Sequence, residues 1–163
     1  MKAMILGAGK GTRLHPITMH TPKPLIPVMG RPVIDWLLNS FSRQGVNEFV
    51  INLGHLGGEI EKACQNGAAH GAEILYSWEG EMQADGFRAE PKGSAGSLRD
   101  IQDKFDVFDG TFVVVCGDAM IDFDVWEAVR FHNSRTAKVT VITRQDALDE
   151  VEKYGVVLDR KST

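Results

Sequence analysis

The chain has 163 residues, with 18 Lys and Arg against 22 Asp and Glu, a formal charge of −4 with histidine neutral. Hydrophobic residues make up 43% and charged residues 25%, the composition of one globular domain, which excludes a disordered chain. The acidic balance argues against a generic nucleic-acid binder, which carries a basic field, although a few local donors suffice to hold a phosphate.

No apolar run approaches the ~20 residues of a membrane span, and the apolar stretch before Gly7 is too short for a signal-peptide core. Cys64 and Cys116 lack the spacing of a disulfide framework or a zinc site. A cytoplasmic protein with neither a nucleic-acid nor a membrane partner is expected.

Lys2–Leu6 reads as a strand. Residues 7–28, rich in Gly and Pro, are long for a βα connection, where ~2–6 residues is usual, and such length signals function. Val33, Trp36, Leu37, Ser40 and Phe41 follow the spacing of an amphipathic helix. Glu48–Leu53 predicts a strand, Leu56, Ile60, Ala63 and Cys64 a second helix, and residues 73–77 a third strand. Residues 79–92 read as a long polar loop without periodicity. Leu98, Ile101 and Phe105 predict a shorter helix, and residues 111–116 a strand. Val125, Ala128, Val129 and His132 predict another helix, and residues 138–143 another strand. Residues 154–159 begin like one more strand before the chain stops. This alternation predicts an α/β fold: a Rossmann-like, mostly parallel sheet with helices on both faces. The run Phe112-Val113-Val114-Val115-Cys116, apolar on both sides, predicts a central parallel strand.

Leu6-Gly7-Ala8-Gly9-Lys10-Gly11-Thr12-Arg13-Leu14 follows the first strand directly. Three glycines in five residues allow backbone N–H groups to form a nest for phosphate oxygens. The spacing is G-x-G-x-G rather than the dinucleotide fingerprint, and the first P-loop glycine would fall at Met4 inside a strand. Arg13 and Lys23 place two cations in the same segment, while Pro16, Pro22, Pro24 and Pro27 stiffen it. Arg13 offers a planar fork to phosphate oxygens and Lys23 a point charge. A rigid, doubly cationic glycine loop suits a triphosphate better than a purely structural turn.

Gly9-Lys10-Gly11-Thr12-Arg13-Leu14-His15-Pro16-Ile17-Thr18, followed by Pro22-Lys23-Pro24-Leu25-Ile26-Pro27-Val28, resembles the signature of the sugar-phosphate nucleotidyltransferases, and most of all the bacterial mannose-1-phosphate guanylyltransferases. The resemblance runs through nearly the whole chain; Gly7 stands where the family often has Ala. It implies attack of a sugar-1-phosphate oxygen on the α-phosphorus of an NTP, giving an NDP-sugar and pyrophosphate. Arg13 and Lys23 would act in catalysis. Leu6, Gly7, Ala8, Gly9, Gly11 and Thr12 would line the nucleotide.

Cys116-Gly117-Asp118 ends a strand where open α/β sheets place ligands. A carboxylate there suits Mg²⁺, which takes one or two carboxylates plus phosphates and water. The family's Gly-Asp pair plays this part, so Asp118 is the expected metal ligand. Gly93, Ser94, Ala95 and Gly96 open a helix and are similar to a family segment that lines the base pocket. Glu79 matches a base-contacting position in related enzymes; an acceptor-only carboxylate suits the two adjacent donors of guanine, so with the Gly93–Gly96 segment GTP is the favoured nucleotide, while mannose-1-phosphate as the favoured sugar is implied by the resemblance alone. The five histidines share no spacing, Cys116 reads as a strand residue rather than a nucleophile, and Trp36, Trp78 and Trp126 read as packing residues.

The family also carries a phosphate-binding lysine in a Glu-Lys-Pro segment and a second metal-binding Asp, neither of which occurs before Thr163. Residues 1–163 are therefore expected to be the nucleotide-binding part of a catalytic domain, with the sugar-binding half largely missing after residue 155. A homo-oligomer is compatible with the sequence. The competing readings are a non-catalytic nucleotide-binding module, a glucose-1-phosphate uridylyl- or thymidylyltransferase, and a kinase using the Gly9-Lys10-Gly11-Thr12 loop.

Overall fold

A computed structural model describes residues 1–84 and 86–143. The chain divides into two units, Met1–Trp126 and Glu127–Thr163. β1 (Lys2–Leu6) leads into a proline-rich segment with 3₁₀ turns at Thr12–Leu14, Ile17–Met19 and Lys23–Leu25. A small hairpin of β2 (Pro27–Val28) and β3 (Arg31–Pro32) precedes α1 (Val33–Arg43) and β4 (Glu48–Leu53). There follow α2 (Gly57–Cys64), β5 (Glu73–Trp78), a hairpin of β6 (Gly80–Gln83) and β7 (Gly86–Ala89), α3 (Gly93–Phe105), β8 (Val113–Cys116) and α4 (Val125–Ser134).

The main sheet has the order β5-β4-β1-β8, and its three ladders are all parallel. Alternation sends Met4 and Val50 to one face, where they pack with Ile101 of α3 and with Leu6, Leu75 and Leu98. On the other face Phe49 meets Phe41 of α1 edge-on, with ring centroids 6.3 Å apart. Helices thus cover both faces, as the strand–helix alternation implies. The apolar spacing of α1 is explained by burial of Val33, Ile34, Leu37, Leu38 and Phe41. Gln44, just past its end, accepts from the Val125 N–H at 2.8 Å and donates to the Phe123 carbonyl, fixing the start of α4 within the first unit. Because the strands run parallel, the ends of β1, β4, β5 and β8 all reach one edge of the sheet.

Four elements differ from expectation. Residues 138–143 form no strand: Val139 is 77% exposed and no ladder partner pairs with the segment among the described residues. Alternating β-branched residues make a strand only where a neighbour takes their backbone hydrogen bonds. Residues 79–92 are a hairpin rather than a featureless loop. Its four-residue arms are too short and mixed to show a period, although Asp85-Gly86 is a hairpin-turn signal in the sequence. Phe87 of β7 packs edge-on against Trp78, centroids 4.7 Å apart. β8 begins at Val113 and, among the described residues, is the last strand of the sheet rather than the central one expected, with β1 as its neighbour and Val114 45% exposed. The helix around Leu98 is 13 residues long rather than short, although it starts at Gly93 as the Gly93–Gly96 segment implied. The strand expected at 154–159 lies outside the described residues. No helix among the described residues is long and apolar enough to cross a membrane.

Candidate nucleotide site

The glycine segment leaves β1 between two close backbone approaches. A Cβ on Gly54 would sit 2.8 Å from the Ala8 carbonyl oxygen, and one on Gly117 would sit 2.8 Å from that of Leu6. Gly117 also donates its N–H to the Leu6 carbonyl at 2.9 Å. Side chains at these positions would push the segment off the ends of β4 and β8. Gly7 is as tightly placed: its N–H donates to Asn52 Oδ1 at 2.7 Å, and a Cβ would meet the Asn52 carbonyl at 2.8 Å. The Gly7 N–H is therefore committed inside the protein, unlike the open phosphate nest expected of it. A Cβ on Gly9 would meet nothing within 4 Å. Gly11 is left-handed, φ 67°, and caps the Thr12–Leu14 turn; its carbonyl accepts from Leu14 N–H and from Thr18 Oγ1 at 2.7 Å. Thr18, buried, was not singled out by the sequence, because a lone threonine in a proline-rich loop carries no pattern.

The two chemically richest positions meet across the sheet edge. Lys23 Nζ lies 3.1 Å from Asp118 Oδ2, joining residues 95 apart. Lys23 is held by buried Pro22 and Pro24, and Pro24 in turn lies against Gly117. The Asp118 side chain is 45% exposed, so its carboxylate is reachable from solvent. Arg13 and Thr12 sit exposed on the first 3₁₀ turn, and no ion pair of Arg13 occurs among the described residues. The Cys116 thiol is pushed up by burial and by Asp118, against the opposing pull of Lys23.

Glu79 is not at an open edge. It is 3% exposed, and its carboxylate is engaged by neutral donors. Asn52 Nδ2 donates to Oε1 at 2.6 Å, Ser97 Oγ bonds the same oxygen, and the Lys92 N–H reaches Oε2 at 3.3 Å. These bonds anchor the start of α3, whose first residues Gly93, Ser94 and Ala95 are exposed and whose Gly96 is half-buried. Lys92 and Lys104 bracket Asp100 at 2.6 and 2.7 Å, and these hydrogen bonds hold the Asp100 carboxyl below its usual range. Asn52 is the residue that sequence reading missed. Its signal was one polar side chain inside the apolar run Phe49-Val50-Ile51-Asn52-Leu53.

The residues fit a divalent cation in one mode. No group of three His, Cys, Asp or Glu side chains forms a cage among the described residues. A single reachable carboxylate, Asp118, suits an ion that takes its other ligands from phosphates and water.

A glycine turn after β1, closed over by the ends of β4 and β8 in an open parallel sheet, places this chain among the α/β nucleotide-binding folds. The chain belongs to the nucleotidyl transferase family, whose match spans residues 2–162. It is 44% identical over 97% of its length to a UTP–glucose-1-phosphate uridylyltransferase of Synechocystis, and it covers 41% of that protein. It is 31% identical over 97% of its length to the mannose-1-phosphate guanylyltransferase catalytic subunit beta of Xenopus tropicalis, covering 41% of it. The fold matches a Bacillus anthracis structure, provisionally assigned as a glucose-1-phosphate thymidylyltransferase and solved with sucrose, with a TM-score of 0.68 at 26% identity over 83% of this chain and 51% of that one. The chain thus spans about two fifths of the length of the relatives it matches.

Proposed function

We propose that this chain is the nucleotide-binding part of an enzyme that transfers a nucleotidyl group from an NTP to a sugar-1-phosphate. In that reaction a sugar-phosphate oxygen forms a bond to the α-phosphorus, the bond to the bridging oxygen breaks, and pyrophosphate leaves. The observation that carries the reading is the Lys23–Asp118 pair at the mouth of the glycine segment, in a chain of this family. Lys23 binds phosphate as a point charge, and Arg13, exposed on its 3₁₀ turn, adds a planar fork to the developing charge. Asp118 would hold Mg²⁺, which when bound supplies charge neutralisation to the phosphates. Gly9 leaves room for close approach of the triphosphate, and the open first turn of α3 lines the base.

For the base we propose uracil. The guanine preference rested on an accessible Glu79 carboxylate, whereas both its oxygens are engaged within the protein. The 44% identical relative is a uridylyltransferase, against 31% for the guanylyltransferase. Calorimetric titration with Mg²⁺ and UTP, dTTP, GTP or CTP tests both parts. UTP is expected to bind at least about tenfold more tightly than GTP, the scale set by one unpaired buried polar group. A GTP preference would return the base reading to guanine, and absence of all nucleotide binding by folded protein would refute the function. Pyrophosphate release by the complete enzyme with glucose-1-phosphate and mannose-1-phosphate then identifies the acceptor.

A further inference from the structure

Asn52 sits at the end of β4, in register with Leu6 of β1 and Ser77 of β5, and is buried. Its side-chain amide is used at both ends. The oxygen accepts the Gly7 N–H at 2.7 Å and the nitrogen donates to Glu79 at 2.6 Å. Glu79 in turn accepts from Ser97, on the second turn of α3, and from the Lys92 N–H that precedes the helix. Ser97 Oγ also lies 2.7 Å from the Gly93 carbonyl, so its single proton is shared between Glu79 and the first turn of the same helix. With the Lys92 N–H, a chain of buried hydrogen bonds runs from the glycine segment to the start of α3. Only a side chain with an acceptor and a donor on one short stem closes it: Asp would face Glu79 with a second carboxylate, and Leu would leave the Gly7 N–H unpaired and take one donor from Glu79.

We propose that Asn52 is a positioning residue that, through Glu79 and Ser97, holds the glycine segment and the first turn of α3 as one rigid unit for the nucleotide. This rests on the functional reading above. It assigns Glu79 to holding the pocket wall rather than reading the base. Buried networks of this kind act as a whole, so loosening one end is felt at the other.

The test has one arm without ligand and one with it. Amide hydrogen exchange followed by NMR in the 163-residue chain reads Gly7 and the first hydrogen-bonded amides of α3, Gly96 and Leu98. Ser97→Ala does not touch Gly7, yet it is expected to speed Gly7 exchange by about threefold or more, as local opening becomes easier. Asn52→Leu is expected to speed exchange at Gly7, Gly96 and Leu98 by about tenfold, the scale of a lost buried hydrogen bond. Val46→Ala, a buried truncation before the start of β4 and so at the opposite end of that strand from Asn52, serves as the control for general destabilisation. In the ligand arm, Asn52→Leu is expected to weaken UTP by about tenfold and inorganic tripolyphosphate less. Glu79→Gln, which keeps the Oε1 acceptor for Asn52 and Ser97 and gives up only the 3.3 Å bond from the Lys92 N–H, should retain most of the UTP affinity with the UTP-to-GTP ratio unchanged. Exchange at Gly7 indifferent to Ser97→Ala, or a Glu79→Gln protein with an altered base ratio, would overturn the proposal. Coupled exchange in a wild-type chain that binds no nucleotide would overturn the functional reading while supporting the coupling.

Discussion

Replacing Gly7 by alanine probes the closest contact in the site. A Cβ there would lie 2.8 Å from the Asn52 carbonyl oxygen, 3.3 Å from Ile51 Cγ2 and 3.6 Å from Ile60 Cδ1, where ordinary contact begins at 3.4 Å. The nearest obstacle is backbone, locked by the parallel ladder that pairs Leu6 with Asn52, so no side chain can swing aside. Relief requires β1 and β4 to separate by about 0.6 Å at their ends, which also lengthens the Gly7 N–H bond to Asn52. Overpacking of this kind costs about 1–3 kcal/mol. Alanine returns about 0.4–1 kcal/mol by restricting the unfolded chain. The net loss is about 1–2 kcal/mol, and for a domain of this size each kcal/mol lowers Tm by roughly 2–4 °C. Gly9→Ala, with open space around it, is expected to be neutral or slightly stabilising. Urea unfolding followed by tryptophan fluorescence measures both variants. Equal stability of the two would refute the close approach at Gly7.

Other outcomes follow from the charges. Asp100→Asn should cost about 0.5–1 kcal/mol at pH 7, the upper range for a partly exposed network. Its carboxyl is held below 3.8 in the fold, so this stability is present above that value and fades as pH falls through the lowered one; urea curves at pH 7 and pH 3 should show the gap closing. The Cys64 thiol is pushed up to about 12 by burial and by Asp35, from 9.0. Above pH 9.0 the unfolded chain ionises this thiol and the folded chain does not, so this group's stability contribution should fall with rising pH, by up to ~1.4 kcal/mol per unit, and the decline should be shallower in Cys64→Ala, where the raised Cys116 and Tyr76 still contribute. At pH 8.5 iodoacetamide should modify exposed Cys116 and spare Cys64 until urea is added. Removing Mg²⁺ should weaken UTP by about tenfold in wild type and much less in Asp118→Asn, measured by calorimetry.

The sheet was legible because burial leaves a simple mark. β1 and β4 fall where their apolar runs lie, and α1 follows its i, i+3, i+4 spacing. Lys23 and Asp118 were expected at one phosphate site through the family resemblance, and they meet because both follow strands of one parallel sheet. What the sequence hid depends on neighbours. Residues 138–143 have strand composition but no ladder partner among the described residues, and β6–β7 has partners but no pattern. Glu79 misled for a related reason. A carboxylate beside a polar loop is normally solvated, and its burial here is permitted only because Asn52 of β4 and Ser97 and Lys92 at the start of α3 each bring a donor. No local signal encodes three donors converging from two elements distant in sequence.

The Lys23–Asp118 pair links the two ligands this site is proposed to take. Without ligand, each charge is the other's partner at 3.1 Å, and the partial exposure of both keeps that pair worth little to the fold. A triphosphate that draws Lys23 away leaves Asp118 facing phosphate oxygens of its own sign. At ~4 Å and an effective dielectric near 20, one such unit-charge repulsion approaches ~4 kcal/mol, and solvent at a half-exposed carboxylate reduces it several-fold. The residue of that repulsion still opposes nucleotide binding by an order of magnitude. A divalent cation removes it by satisfying the carboxylate and the phosphates together. The Lys23–Asp118 pair would therefore make nucleotide and cation each improve the binding of the other, and by linkage the two improvements are equal.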